Sequence, residues 1–240
     1  MNATLSLPSS VQERISGWIR IQERRQGSAQ AQPMPRPSVT LSRQFGCEGF
    51  PLALRLQERM QQASGEPWSI FDKELIERLV RDEGIPLSLL KDLENPARHL
   101  EAFGFHPRGA VTSDEAFARI AVSILHVARD GNAIIVGRGG AVLCQKLENC
   151  FHFRLEADHE WRLASLVRRL GLSRKEAVDL EKHQSRLREH YLRDFFGMES
   201  SDRSCYDAVF NNERHGVEEI AAAIFGYVRC GWKGGGFQSR

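Results

Sequence analysis

The stretch SVTLSRQFGCEGFPLALRLQERM, residues 38–60, decides the fold. Its first part, SVTLSRQF, is typical of a β-strand, and two glycines then supply a turn. From residue 51 to 63, Leu52, Leu56 and Met60 recur on one face of a helix, with a proline in the first turn. Strand, glycine turn and helix in this order predict a phosphate-binding loop. However, the lysine and the serine or threonine that end such a loop, GxxxxGK[ST], are missing here.

Strand-like and helix-like segments alternate along the rest of the chain. Further strands are predicted at residues 67–71, 133–136, 150–157 and 207–213. Helices are predicted from residue 72 onward and at 113–131, 139–147, 158–170, 173–196 and 216–228. Five strands separated by helices predict an α/β fold, with a five-stranded parallel sheet covered by helices on both faces. Ligands of such sheets bind at the carboxyl ends of the strands, here at FGCEGFP, FDK and GRGG.

The domain organisation follows from where this alternation starts and stops. Residues 1–37 are predicted to hold an amphipathic helix at 10–25 and a proline- and glutamine-rich linker. The main domain is predicted at 38–229, with an arginine-rich helical lid at about 158–198. Residues 95–112 lack periodicity and are predicted to be mobile, and residues 230–240 are predicted to form a disordered tail.

Composition excludes several classes of protein. The 240 residues are 41% hydrophobic and 27% charged, and no apolar run approaches the roughly 20 residues that cross a bilayer. The N-terminus lacks the pattern of a secretory signal, which predicts a cytoplasmic protein with no membrane partner. A net charge of +2 argues against nucleic-acid binding. Five scattered cysteines without a CxxC pair predict reduced, mostly buried thiols and no metal site.

Five motifs occur in order and resemble the cytidylate kinase-like family, a branch of the P-loop nucleoside monophosphate kinases. They are SRQFGCEG (42–49), FDKELIE (71–77), IIVGRGG (134–140), REHYLRDFFG (188–197) and YDAVFNNERHGVEEI (206–220). The resemblance covers about residues 38–228. It implies a P-loop core and ATP-dependent phosphoryl transfer to a nucleotide, with ATP and Mg²⁺ as cofactors.

Candidate site residues follow from the motifs and from the chemistry of phosphate. Backbone N–H groups at a glycine turn that opens a helix bind anions, and arginine holds phosphate oxygens with its planar fork. The predicted phosphate-binding loop comprises Gly46, Cys47, Glu48, Gly49 and Phe50. By resemblance, Arg138, Asp72 and Lys73 lie near the acceptor nucleotide, and Arg186, Arg188 and Arg193 belong to the lid. The alternatives are a plain tight turn at the glycines, a helix cap at Asp72 and solvated lid arginines.

Several positions depart from the family pattern. The lysine of a cytidylate kinase falls on Gly49, and the hydroxyl that would reach magnesium falls on Pro51. Closer relatives carry an arginine and a glutamate at positions 50 and 51, which here are Phe50 and Pro51. The acid of the GRD motif is Gly139, and an aspartate usual in the lid is Ser185. Glu48 adds a negative charge to the loop, and Arg43 is the nearest cation that could replace the lysine.

Three hypotheses therefore remain open. The first is an enzyme that transfers the ATP γ-phosphoryl group to a nucleoside monophosphate, such as CMP, or to a related acceptor, with Arg43 and the lid arginines as catalytic groups. The second is a catalytically impaired module that binds a nucleotide or another phosphorylated ligand for regulation. The third is a scaffold that recruits a protein partner, or a second copy of the chain, through the N-terminal helix.

Overall fold

The computed structural model describes residues 36–76 and 115–232. The strands are β1 (Ser38–Arg43), β2 (Ser69–Phe71), β3 (Ala133–Val136), β4 (Cys150–Glu156) and β5 (Ala208–Asn211). The helices are α1 (Gly49–Ser64), α2 (Glu115–Asp130), α3 (Gly140–Leu143), α4 (His159–Leu170), α5 (Arg174–Phe196) and α6 (Val217–Gly231). A helical turn also covers residues 73–76.

The five strands form one parallel sheet in the order β2-β3-β1-β4-β5. This confirms the predicted α/β architecture. The central strand β1 pairs with β3 and β4, so that Ser38 lies opposite both Ala133 and Cys150. Because all strands run in one direction, the loops that follow β1, β3 and β4 meet at one edge of the sheet.

Both faces of the sheet are buried, which explains the continuous apolar pattern of β3. Alternate residues point to opposite faces. Ile134 and Val136 pack into the core with α1 and α6, whereas Ala133 and Ile135 pack into the core with α2. Polar residues of the central strands are buried with partners; for example, the Thr40 hydroxyl is 2.8 Å from His152 Nδ1.

The segment predicted to form the lid, residues 158–198, folds as a helical hairpin of α4 and α5. Asp158 caps α4 by accepting a hydrogen bond from the Glu160 N–H. Ser173 and Glu176 form the predicted capping box at the start of α5. The last turn of α5 brings Tyr191, Phe195 and Phe196 against the core on the α2 face of the sheet. The hairpin is thus fixed to the sheet at the C-terminal end of α5.

Two helix boundaries differ from the sequence prediction. Helix α1 begins at Gly49, two residues before the predicted start. Helix α3 ends at Leu143, whereas the pattern predicted a helix over 139–147. Gly139 is left-handed, with φ 69°, and turns replace the helix after Leu143. A hydrogen bond from the Leu147 N–H to the Cys144 carbonyl closes one of these turns.

Other predictions concern the ends of the chain and its thiols. The N-terminal helix at 10–25 and the segment at 95–112 lie outside the described residues. Cys230, which the sequence placed in the tail, belongs to the last turn of α6. Four of the five cysteines are buried and none forms a disulfide. A search of the described part of the chain found no helix with the length and apolar character needed to cross a membrane.

Candidate active site

A cleft lies above the carboxyl ends of β1, β3 and β4, beneath α5. Its volume is about 760 Å³. Five of the predicted site residues line it: Arg43, Lys73, Arg138, Arg186 and Arg188. The remaining predicted residues are not part of the lining, and these are Arg193, Asp72 and the turn at residues 46–50.

Arg43, the last residue of β1, passes between two glycines. A Cβ at Gly49 would lie 3.0 Å from Arg43 Cδ and 3.3 Å from its Nε, and a Cβ at Gly137 would overlap its Nη1. The guanidinium can lie where it does only without a Cβ at position 137, whereas a Cβ at position 49 would require a shift of a few tenths of an ångström. By the family resemblance Gly49 is the lysine position, and a Cβ there would contact the Arg43 side chain.

Arg188 of α5 lies beside Arg43. Its Nη1 donates a hydrogen bond of 3.0 Å to the Arg43 carbonyl, and its guanidinium lies 5.0 Å from the centre of the Phe45 ring. Burial, with the nearby Arg43 charge, lowers the pKa of Arg188 to about 9. Burial also lowers the pKa of Arg43, an effect that Asp72 partly offsets. An anion beside these two half-buried guanidiniums would stabilise their charged forms.

Arg138 sits in an unusual turn at the end of β3. Gly137, Arg138 and Gly139 all have left-handed backbones, with φ values of 82°, 55° and 69°. For a non-glycine residue this conformation costs about 1–2 kcal/mol, and such strain is concentrated at functional sites. The Arg138 guanidinium lies 5.6 Å from the Tyr191 ring centre, and burial lowers its pKa. The turn thus directs a third arginine toward the cleft.

The Phe196 ring fills the space beside position 139, where the family resemblance expects an acid. A Cβ at Gly139 would overlap the Phe196 ring, and its left-handed backbone also disfavours any side chain. The ring belongs to an aromatic group with Phe117 and Tyr191 that fixes α5 to α2. A side chain at position 139 would therefore disturb the packing that docks the helical hairpin.

Arginines of α4 bind the carbonyl of Gly46, the first residue of the predicted phosphate-binding loop, and the carbonyl of Phe45 just before it. Arg162 Nη1 donates to the Phe45 carbonyl at 2.9 Å, and Arg169 Nη2 donates to the Gly46 carbonyl at 2.6 Å. Arg162 itself is held by Glu181 of α5, with Nη1 2.5 Å from Oε1. A Cβ at Gly46 would lie 2.7 Å from the Arg162 Cβ, so α4 packs directly against the loop.

Two amides of this loop already have acceptors within the protein. The Cys47 N–H donates to the Gln44 carbonyl at 3.3 Å, and the Glu48 N–H donates to Asn212 Oδ1 at 2.8 Å. The Glu48 carboxylate, the unexpected negative charge of the loop, lies 3.0 Å from Arg168 Nη2. Burial raises the pKa of Cys47 to about 11, so its thiol is neutral at physiological pH. The loop is held mainly by contacts with α4 and with the end of β5.

The opposite wall of the cleft contains residues that sequence reasoning missed. Arg154 of β4 is buried and lies 2.7 Å from Glu156 Oε1, and Arg203 pairs with the other oxygen of that carboxylate at 2.8 Å. Tyr206 donates a hydrogen bond of 3.0 Å to the Ser42 hydroxyl. The available signal was Arg154, a charge at the carboxyl end of the otherwise apolar strand CFHFRLE.

The other predicted residues lie in three places: at the start of a helical turn, in the lining of the cleft and on the surface. Asp72 Oδ1 accepts a hydrogen bond of 2.9 Å from the Leu75 N–H, as the capping alternative predicted. Arg186 lines the cleft, but Arg193 is exposed, with its Nε 3.9 Å from Glu199. Ser185, at the position of the lid aspartate, donates to Glu181 at 2.8 Å.

The side chains of this site do not fit a magnesium ion. Magnesium prefers carboxylate and other oxygen ligands. Position 51 is a proline, and of the carboxylates that line the cleft, Glu156 and Glu181 are bonded to arginines, which leaves the exposed Glu189. Within residues 36–76 and 115–232, no group of three or more histidine, cysteine, aspartate or glutamate residues could hold a metal. The positive charge in this cleft is supplied by the guanidinium groups of its arginines.

Three solved structures are similar to this chain, and the first of them supports the fold. An uncharacterized protein from Eubacterium ventriosum has a similar structure, with a TM-score of 0.61 at 19% identity; the match covers 81% of this chain and 99% of that one. TT1252 from Thermus thermophilus has a TM-score of 0.41 at 14% identity; the match covers 80% of this chain and 97% of that one. A chain from the PezAT toxin–antitoxin system of Streptococcus pneumoniae has a TM-score of 0.38 at 11% identity; the match covers 94% of this chain and 97% of that one.

The comparison with curated proteins found no match. The model of the cytidylate kinase-like family matches residues 38–214, which are most of the chain and contain β1, the turn after β3 and the helical hairpin. These are the elements that form the arginine cleft. The chain therefore belongs to the cytidylate kinase-like family.

Proposed function

We propose that the protein is a nucleotide phosphotransferase that transfers the γ-phosphoryl group of ATP to a nucleoside monophosphate such as CMP. In this reaction a phosphate oxygen of the acceptor forms a bond to the γ-phosphorus, the β–γ bridging bond breaks, and ADP leaves. Catalysis of phosphoryl transfer depends on positioning and on neutralising the charge of the phosphate oxygens. Arginines suit both tasks because they stay charged and bind two oxygens at once.

The observation that supports this proposal most strongly is the position of Arg43. Its side chain runs from the lysine position of the loop, Gly49, to Gly137 at the edge of the acceptor side. It lines the cleft together with Arg138 and Arg188. A guanidinium in this place could contact a phosphate between donor and acceptor, and so could supply the charge that the loop lysine supplies elsewhere in the family.

A coupled assay of ADP release tests the proposal. Wild-type protein would be assayed with ATP against a panel of nucleoside monophosphates, in Mg²⁺ and in EDTA, beside an Arg43→Ala/Arg188→Ala double variant. Arg55→Ala is the matched control, because Arg55 lies on α1, pairs with Glu218 and is not part of the cleft. We expect turnover by wild type and by the control only. Wild-type turnover no higher than that of the double variant would exclude the enzyme.

A second candidate is a kinase-like module that binds a phosphorylated ligand without turnover. The state of the loop favours it, since the Cys47 and Glu48 amides have acceptors within the protein and Pro51 has no hydroxyl. A ligand at 100 times its Kd stabilises the native state by about 2.7 kcal/mol. Thermal stabilisation by ATP or a monophosphate without ADP release would support this candidate. No stabilisation by either would favour the scaffold.

A further inference from the structure

Two positions at which the family resemblance expects an oxygen-bearing side chain hold other groups here. Pro51 offers no oxygen from its side chain, and Gly139 is closed to a carboxylate by the Phe196 ring. The Arg43 side chain passes Gly49 and Gly137, each of which lies two residues before one of these positions in the sequence. Neither position therefore offers a side-chain oxygen to a metal ion.

The carboxylates that remain near the cleft are mostly committed to arginines. Glu156 is bonded to Arg154 and Arg203, and Glu181 to Arg162. Glu189, which also lines the cleft, lies on the exposed side of α5. Magnesium in phosphate sites usually relies on one or two protein carboxylates, together with the phosphates and water. Of these three carboxylates, only that of the exposed Glu189 is left to bind magnesium.

The charge of the cleft acts against a divalent cation. Arg43, Arg138 and Arg188 all line it, and burial lowers the pKa of each. Two like charges 4 Å apart repel each other by about 4 kcal/mol at an effective dielectric constant near 20, and a dication doubles that. An unchelated phosphate gains from the same guanidiniums. The arrangement therefore favours the anion without its metal.

We propose that this cleft binds its phosphorylated ligand free of divalent metal, with Arg43 and Arg188 supplying the charge that Mg²⁺ supplies in other kinases. The proposal rests on the proposed function, because it assumes that nucleotide phosphates enter the cleft. It goes further in specifying the ionic form that the site selects.

Isothermal titration calorimetry with ATP tests this directly, because ATP can be presented free in EDTA or as its magnesium complex. We expect ATP in EDTA to bind at least as tightly as ATP in excess Mg²⁺. Arg43→Ala should weaken binding of metal-free ATP about 10- to 100-fold, since charge-assisted hydrogen bonds are lost. The Arg55→Ala control should bind like wild type.

Two results would overturn the proposal, and they differ. Binding of ATP that is tightened tenfold or more by Mg²⁺ would show that the site uses the metal, and would leave the proposed function intact. An absence of binding heat with ATP in both forms, and with nucleoside monophosphates, would refute the proposed function and this inference together.

Discussion

Substituting Gly137 by alanine should separate the positioning of Arg43 from the stability of the fold. The new Cβ would overlap Arg43 Nη1, so the guanidinium would have to move by about 1 Å to regain normal contact. A displacement of that size at a reacting group can cost about 100-fold in rate. The left-handed backbone at residue 137 adds a stability cost of about 1–2 kcal/mol.

Gly65→Ala provides the matched control. Gly65 has a similar left-handed backbone, with φ 68°, but an added Cβ there would have nothing within 4 Å. Both variants should lose similar stability in chemical denaturation, whereas only Gly137→Ala should lose nucleotide affinity in calorimetry and turnover in the ADP-release assay. Equal nucleotide affinity and turnover in the two variants would refute the role assigned to Arg43.

Three further predictions concern other parts of the site. Arg138→Gly and Arg138→Ala should both weaken nucleotide binding. In urea unfolding the glycine variant should be about 1–2 kcal/mol more stable than the alanine variant, because residue 138 has a left-handed backbone. Equal stability of the two variants would contradict backbone strain at residue 138. Gly139→Asp should destabilise the fold by about 2–5 kcal/mol through backbone strain and overlap with Phe196, measured by thermal melting, and an unchanged melting temperature would contradict that packing. Burial lowers the pKa of His152, so the native state binds its proton less readily than the unfolded chain. The contribution of His152 to the free energy of unfolding should be fully present above about pH 6.5 and should fall as the pH drops toward its lowered pKa. In urea unfolding, His152→Gln should lose less stability than wild type over this pH range, and an identical loss would exclude His152 as the cause.

The sequence predicted the parts of the fold that depend on local pattern. The apolar run at 133–136 gave β3 with its observed bounds, and Ser173 with Glu176 marked the start of α5. Helix α3 was predicted too long because its apolar spacing does not reveal that turns follow Leu143. Such turns depend on the approach of the next strand rather than on local propensity.

The site was predictable only in part. Motif positions identified Arg43, Arg138 and Arg188, which the structure brings to one cleft. Their arrangement was not readable, because it depends on packing between distant segments: Arg43 against Gly137, and Phe196 against Gly139. The missing lysine and the missing acid looked like independent losses in the sequence. In the structure the position of the missing lysine, Gly49, lies beside Arg43 of the cleft. The position of the missing acid, Gly139, lies beside Phe196, which docks α5.

The most direct test of this account is a crystal structure with a nucleotide bound in EDTA. We predict phosphate oxygens within about 2.7–3.2 Å of the guanidinium nitrogens of Arg43 and Arg188. A phosphate bound elsewhere, with both guanidiniums in the arrangement described here and no contact to the ligand, would contradict the central claim.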